Sequence, residues 1–306
     1  MPTLIATSVV RGSQKGESHG GVFTLDFERQ NVEQHIDWNT GEIDFAGRGA
    51  DRGLRGIAFD GERIYIAASD ELFCYDRSFQ RIGSWRCAYL KHCHEICVLD
   101  RLLFLTSTGF DSLLVFDLDQ ARFVRGIHML KQTDGWIGVS YDPESESGPR
   151  PSNEHHINMV HVDSRGVFFS GLKTRALVHY AGDDRVTEFC SLPRGTHNAR
   201  PFAGGVLFND TESDCLRVVK QSGRQQVLKI RHYDPATIRF AGVDDSRVAR
   251  QGFGRGLCVI DEQTLAGGSS PSTITLYDLR HGREIASVNL TMDIRNAIHG
   301  LEVWPY

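Results

Sequence analysis

The feature of this sequence that most constrains its fold is a four-part pattern of short apolar runs that recurs along the chain. The clearest copy extends from Gly56 to Trp85 and holds four runs rich in β-branched and aromatic residues, separated by turns that contain Gly, Asp or Ser. Helical periodicity is nearly absent. Short strands at regular spacing, repeated as a unit of four, are typical of β-propeller blades.

Further copies of the unit start at four points in the chain, at Glu95, Ile157, Asn198 and Gly256. The N-terminal residues supply three strands and the C-terminal residues supply one, so that joined together they complete a sixth unit and leave no long open sheet edge. A β-sandwich fold does not require the strands at the two ends of the chain to complete one four-stranded unit. We therefore predict an all-β chain in which residues 1–306 form a single six-bladed β-propeller domain, closed by pairing N-terminal strands with a C-terminal strand.

Composition excludes several classes of partner. The 306 residues carry a formal net charge of −5, which argues against a general nucleic-acid binder. No run approaches 18 uninterrupted apolar residues, so no membrane span is expected, and the polar start of the chain does not resemble a signal peptide. The seven cysteines are scattered, as free thiols of a reducing compartment are. These observations predict a cytoplasmic protein.

Aligning the units on their innermost strand places basic side chains at one equivalent position in all six. Four of the chain's 13 histidines fall at this position, although the alignment was fixed by the strands and not by histidine. Because innermost strands line the axis of a propeller, we expect these side chains to ring a central channel. The six positions are Arg55, His94, His156, His197, Arg255 and His299.

Imidazoles that converge on an axis suit a divalent metal. His94, His156 and His197 come from consecutive units and are the best candidates for three ligands, with His299 as a fourth ligand or a general base. The sequence predicts one divalent metal, with Fe(II) preferred and Mn(II) or Zn(II) as alternatives. Three or four protein ligands leave a coordination position open for catalysis.

The two arginines define the expected substrate. Arg55 and Arg255 flank His299 in the ring order, and their planar guanidinium groups suit a carboxylate or phosphate. We therefore expect a small anionic substrate, held by Arg55 and Arg255, with both arginines and His299 as the catalytic side chains. The sequence does not choose between lyase or hydrolase chemistry and Fe(II) oxygenase chemistry.

Three other interpretations remain open at this stage. The ring could bind an anion without a metal, as part of a non-catalytic propeller that binds an anionic ligand or a protein partner. It could be a structural plug of polar side chains, or a metal could merely staple the blades together.

Loops predicted on the same face add weaker candidates. His19 lies in a long turn of the first unit, and Asp111 lies in a turn of the third, where both are expected to contact substrate. The Ser-, Pro- and Glu-rich segment from Tyr141 to Asn153 is a candidate lid. Residues that precede ring positions are expected to orient the ligands; these are His92, Glu154 and His155.

Several short motifs resemble those of an uncharacterised bacterial β-propeller family, a conserved domain of unknown function. The motifs are His94-Glu95-Ile96, Thr108-Gly109-Phe110-Asp111-Ser112-Leu113, His156-Ile157-Asn158, His197-Asn198-Ala199-Arg200 and Arg255-Gly256-Leu257. The resemblance implies the propeller fold, and it implies that Asn158 and Arg200 join the channel residues in a substrate site. A more distant likeness connects the chain to propellers with axial metal-binding histidines, such as carotenoid oxygenases, peptide-amidating lyases and oligogalacturonate lyases.

Overall fold

A computed structural model describes residues 1–40, 43, 53–182, 186–242 and 249–306 of the chain. Within these residues the regular structure is 25 β-strands, numbered β1 to β25 in chain order, and one 3₁₀ turn, Pro235–Thr237. This part of the chain contains no helix that is long and apolar enough to cross a membrane. The chain divides into two compact units, of which unit 1 comprises Met1–Gly56 with Ala203–Tyr306 and unit 2 comprises Ile57–Phe202.

Unit 1 has eleven strands among the described residues. They are β1 Leu4–Val10, β2 Gly21–Asp26, β3 Asn31–Asp37, β18 Gly205–Asp210, β19 Cys215–Lys220, β20 Gln225–Lys229, β21 Leu257–Val259, β22 Thr264–Ser269, β23 Thr273–Asp278, β24 Arg283–Asn289 and β25 Asn296–Val303.

The strands of unit 1 form antiparallel meanders. β21 to β24 are hydrogen-bonded in chain order, as are β18 to β20. The remaining sheet has the order β25-β1-β2-β3, so the C-terminal strand pairs with the N-terminal one, from Leu4 opposite Val303 to Val10 opposite Asn296. Between this sheet and β21 to β24 lies an apolar core that includes Leu276 and Ile298. The predicted pairing of N-terminal strands with a C-terminal strand is therefore present in unit 1.

Unit 2 has fourteen strands in the part of the chain that is described. They are β4 Ile57–Asp60, β5 Arg63–Ala67, β6 Glu71–Tyr75, β7 Arg81–Arg86, β8 Ile96–Leu99, β9 Leu102–Ser107, β10 Ser112–Asp117, β11 Arg122–Gln132, β12 Gly135–Tyr141, β13 Ile157–Asp163, β14 Gly166–Gly171, β15 Ala176–Tyr180, β16 Val186–Ser191 and β17 Thr196–Phe202.

Unit 2 repeats the four-stranded meander three times. β4 to β7 form one sheet, and the meanders β8 to β11 and β13 to β16 belong to a nine-stranded sheet. β12 joins them, because its whole length pairs with Gly126–Gln132 of the extended β11 and, within the described residues, Trp136 of β12 pairs with Val186 of β16. One apolar core lies between β4–β7 and β8–β11, and a second lies between β8–β11 and β13–β16. Burial of apolar side chains between packed sheets supplies the main stabilising free energy of such an arrangement.

The all-β, antiparallel fold class is confirmed, and most predicted strands lie within one or two residues of the observed ones. The sequence did not predict that β11 extends to Gln132 and turns back into β12. The structure also shows no disulfide at any of the seven cysteines, all of which lie among the described residues. The closed ring of six blades stays a prediction.

Candidate functional site

Three of the predicted ring histidines lie in unit 2, each at or just before the start of a strand. His94 lies two residues before β8, His156 immediately precedes β13, and His197 is the second residue of β17. His94 and His197 are buried, with 7% and 3% of their surface exposed, and His156 is half-buried. Their side chains are therefore shielded from bulk water while remaining at one end of the strands.

The tautomer of His94 is determined by its neighbours. Its Nδ1 lies 2.6 Å from the carbonyl oxygen of His92 and 3.0 Å from Oγ1 of Thr108. The Thr108 hydroxyl donates its own proton to the carbonyl oxygen of Ile157, so its oxygen can only accept from His94. Nδ1 therefore carries the proton, and Nε2 carries the lone pair, which can coordinate a metal or accept a proton.

The other two ring histidines of unit 2, His156 and His197, have the same arrangement. Nδ1 of His156 lies 2.9 Å from the side-chain oxygen of Asn153, and Nδ1 of His197 lies 3.3 Å from the carbonyl oxygen of Gly195. Both partners are acceptors, so in each ring Nδ1 donates and Nε2 holds the lone pair. A hydrogen bond from Nδ1 to oxygen is the usual support of a metal-binding histidine.

Two contacts bring the three histidine segments together. The rings of His94 and His156 lie edge to face, with centroids 5.5 Å apart and planes inclined by 65°. The amide of Asn198, which follows His197, donates to the carboxylate of Glu95, which follows His94, at 3.0 Å. The Glu95–Asn198 bond links residues 103 positions apart and fixes the His94 and His197 segments to each other.

Asp111 holds the loop that leads to His156. Its buried carboxylate accepts hydrogen bonds from the Ser152 hydroxyl at 2.8 Å and from the backbone amides of Glu154, His155 and His156, the last at 2.9 Å. His156 itself has a φ of 54°, a left-handed conformation that costs a non-glycine residue free energy and is held by surrounding contacts. Asp111 thus acts on the site through the loop, and its contact with a substrate stays a prediction.

The candidate lid is attached to the body of unit 2 by Tyr89. The Tyr89 hydroxyl donates to the carbonyl oxygen of Ser145 at 2.9 Å and accepts from the amide of Gly148 at 2.8 Å. Its ring packs edge-on against those of Phe110 and Tyr141. Residues 142–153 therefore follow the surface of unit 2 as a fastened strap in the present structure.

Unit 1 brings together the other three predicted ring residues. Arg55, Arg255 and His299 are buried, with 2%, 7% and 5% of their surface exposed. Nη1 of Arg255 lies 3.5 Å from Nε2 of His299, and because arginine only donates, the imidazole nitrogen accepts. The Thr7 hydroxyl donates to the carbonyl oxygen of Arg55 and accepts from the amide of Gly300, which ties the Arg55 segment to the residue after His299.

The remaining predicted residues lie at other positions. His19, in unit 1, is fully buried in the turn after β1, where its Nδ1 lies 2.6 Å from the Ser13 hydroxyl. Arg200, in unit 2, is on β17 close enough to His161 to lower the pKa of that imidazole, although burial of His161 is the larger cause. Asn158 is buried in β13 with 3% exposed. Of the residues expected to orient the ligands, His92 does so through its carbonyl oxygen, while His155 packs edge-on against Trp136.

Among the residues that the structure describes, no three His, Cys, Asp or Glu side chains are close enough to hold a metal ion as they stand. The metal therefore stays a prediction. Sequence reasoning missed the hydroxyl of Thr108 and the Glu95–Asn198 bond as parts of the site. The available signal was position, since Glu95 and Asn198 each directly follow a ring histidine.

Comparison with known proteins shows the fold only. No protein-family model matches the chain, and no curated protein matches it. Solved structures with a similar fold include a chain of the nidogen/laminin complex, with a TM-score of 0.58 and 13% identity over 98% of this chain and 97% of that one. A protein of unknown function from Bacteroides caccae has a TM-score of 0.58 at 10% identity, covering 99% of this chain and 98% of that one. The WD40 repeats of RRP9 match with a TM-score of 0.50 at 11% identity, over 77% of this chain and 63% of that one. WD40 repeats form β-propellers, so this chain has a β-propeller-like, all-β fold.

Proposed function

We propose that unit 2 binds one divalent metal through His94, His156 and His197, and that the protein is a metal-dependent enzyme acting on a small carboxylated substrate. The observation that carries this proposal is the shared tautomer. All three histidines hold Nδ1 against an oxygen acceptor, the arrangement that commonly supports a histidine that binds a metal through Nε2. The preferred ion is Fe(II), with Mn(II) or Zn(II) as alternatives, because all three accept imidazole ligands.

The spacing of two of the rings is consistent with a shared metal. Two imidazoles bound to one tetrahedral ion at about 2.0–2.1 Å place their ring centroids roughly 5 Å apart. The observed separation of the His94 and His156 centroids is 5.5 Å. The two centroids are therefore near the separation that a shared ion requires, and the third ligand would come from His197 on the segment that the Glu95–Asn198 bond holds.

We further propose that Arg55 and Arg255 bind the carboxylate of the substrate, with His299 as a proton acceptor. Nε2 of His299 already accepts a contact from Arg255 at 3.5 Å, so this histidine has the tautomer of a base. The proposed ligand set is limited to the three ring histidines of unit 2, and His299 has the separate role of proton acceptor. Whether the chemistry is that of a lyase, a hydrolase or an Fe(II) oxygenase depends on which metal binds.

For the fold, we infer that the chain forms six four-stranded meanders, which are the blades of one closed propeller. The repeated meanders and the β25-β1-β2-β3 sheet support this inference, as do the similar structures with WD40 repeats. A closed ring of blades would leave only short, protected sheet edges.

Elemental analysis of protein purified without an affinity tag tests the metal centre. We expect about one equivalent of Fe, Mn or Zn in the wild type, and loss of that metal in His94→Ala and His156→Ala. His179→Ala is the matched control, because this half-buried histidine of unit 2 lies on β15 and bonds the Arg165 carbonyl oxygen instead. Absence of metal from the wild type after incubation with Fe(II), Mn(II) and Zn(II) would contradict the proposal.

The second candidate is a non-catalytic propeller that binds an anionic ligand or a protein partner. It is favoured by the lack, in the described part of the chain, of three metal-ligating groups that already converge. One of the similar structures is itself part of a protein complex. Under this alternative the purified protein carries no stoichiometric metal, and His156→Ala leaves binding of the partner intact.

A further inference from the structure

The side chain of Asn158 is buried with its hydrogen-bonding capacity unused. Only 3% of the residue is exposed, and neither the amide oxygen nor the amide nitrogen has a hydrogen-bond partner among the residues that the structure describes. The hydroxyl of Ser170, a residue that is fully buried, likewise has none within those residues. Three neutral hydrogen-bonding atoms of unit 2 are thus removed from water without a protein partner.

Strand pairing places these two residues beside each other in the sheet. β13 and β14 pair Ile157 with Gly171 and Met159 with Ser170, so that Asn158 is the additional residue of a β-bulge opposite Ser170. Bulges next to functional sites commonly redirect a side chain. β17, the strand that carries His197, packs against both β13 and β14. Asn158 is therefore two residues from His156 in the chain and lies on the strand that contacts the His197 strand.

Leaving such groups unsatisfied is unfavourable. A buried polar group without a partner lowers stability, and most buried groups in proteins are satisfied by protein, water or ligand. From this we infer that Asn158 and Ser170 form a polar subsite, the Asn158 subsite, for an uncharged, hydroxyl-bearing part of the ligand. The inference rests on the proposed function in assigning that ligand to the proposed carboxylated substrate.

The chemistry of the two side chains selects the ligand class. The amide offers both donors and an acceptor, and the serine hydroxyl offers one donor and an acceptor. A hydroxyl group can use both kinds of atom, whereas a carboxylate would leave the amide oxygen unpaired. Combined with the carboxylate expected from the proposed function, this predicts a polyhydroxylated carboxylic acid as the substrate class.

Two carboxylates of equal chain length test the Asn158 subsite by isothermal titration calorimetry. Gluconate carries hydroxyl groups on its five other carbons, and hexanoate carries none. We expect gluconate to bind the wild type about tenfold to a hundredfold more tightly, since hexanoate leaves the buried polar atoms unpaired. In Asn158→Leu we expect this preference to fall to about twofold or less, with Ser170→Ala intermediate.

Ser112→Ala is the matched control. Ser112 is fully buried in unit 2, but its hydroxyl already donates to the carbonyl oxygen of Phe110. We expect this variant to lose stability and keep the preference for gluconate. Asn158→Leu should instead retain or raise the melting temperature, because an apolar isostere replaces an amide without a protein partner. A lowered melting temperature with unchanged preference would assign Asn158 a structural role and overturn the inference.

Metal content measured in parallel separates this inference from the proposed function. Metal-free protein that still prefers gluconate through Asn158 would contradict the metal centre and support the subsite. Protein that binds metal but does not distinguish gluconate from hexanoate would overturn the subsite and leave the metal centre standing.

Discussion

At the scale of single residues, the hydroxyl of Thr108 acts with the carbonyl oxygen of His92 to hold the ring of His94 through Nδ1. It accepts from Nδ1 of His94 and donates to the carbonyl oxygen of Ile157, which immediately follows His156. One hydroxyl therefore orients one predicted ligand and restrains the segment of another. Thr108→Val preserves the shape of the side chain and removes both hydrogen bonds. We expect it to lower the free energy of unfolding by about 1–3 kcal/mol and to weaken metal binding about 10- to 100-fold.

Urea unfolding and metal titration measure the two effects, and Thr174→Val is the control. Thr174 is also buried in unit 2, and its hydroxyl bonds only to the turn at Gly171 and to Ala176. We expect the control to lose stability without losing metal affinity. Equal loss of metal affinity in both variants would show that Thr108 acts through general stability and not through His94.

His161 makes the stability of unit 2 dependent on pH. Burial, followed by the charge of Arg200, lowers the pKa of His161 from its ordinary 6.5 to about 4. Between these values the unfolded chain binds a proton that the folded chain does not, so stability falls as the pH falls from about 6.5 towards 4. In His161→Gln we expect the loss between pH 7 and 4.5, measured by urea unfolding, to be smaller by about 2 kcal/mol. If the free energy of unfolding fell equally with pH in both proteins, the acid sensitivity would belong to groups other than His161.

At the scale of elements, the Tyr89 hydroxyl fastens the middle of the strap of residues 142–153, while Asp111 holds its end through Ser152. This hydroxyl bonds both Ser145 and Gly148, while the ring remains packed against Phe110 and Tyr141. Tyr89→Phe should therefore release the strap and leave the ring packing in place, with a loss of stability of about 1 kcal/mol. We expect faster amide hydrogen exchange confined to residues 142–153, measured by mass spectrometry.

Tyr180→Phe is the matched control for the strap, because the Tyr180 hydroxyl accepts from Arg125 and donates to Gly182 elsewhere in unit 2. Unchanged exchange in the strap of Tyr89→Phe would show that other contacts hold it.

Strands formed by continuous apolar runs within the four-part repeat were predictable from the sequence, whereas strands outside the repeat and long-range contacts were not. β5, Arg63–Ala67, lies in the predicted Gly56–Trp85 unit, and four of its five residues are buried. The hairpin of β11 and β12 was missed because β12 is an additional strand that a repeat of four does not include. In the site, the repeat located His94 and His197, but no local pattern reveals that Asn198 bonds Glu95 across 103 residues.

At the scale of the whole molecule, the chain combines its first and last strands in one sheet. All seven residues of β1 are buried, and β1 is hydrogen-bonded to β25 on one side and to β2 on the other. Ile298 and Leu301 of β25 belong to the apolar core of unit 1. The sheet can therefore form only after the residues near both ends of the sequence have met, which makes β25 a requirement for unit 1 and not an appendage.

A deletion and a circular permutation test this requirement together. Deletion of residues 296–306 removes the partner of β1 and two core side chains, and we expect it to abolish cooperative unfolding of unit 1.

The backbone amide of Trp304 donates to the carbonyl oxygen of Thr3 at 2.9 Å, so a short Gly/Ser linker can join Tyr306 to Met1. New ends between Ser222 and Gly223 would open only the exposed turn between β19 and β20. This permutant keeps every strand pair, and we expect its melting temperature to stay within about 4 °C of the wild type, since changes of about 1 kcal/mol produce shifts of that size. Equal disruption in both variants would show that chain order, and not the β1–β25 pairing, stabilises the sheet.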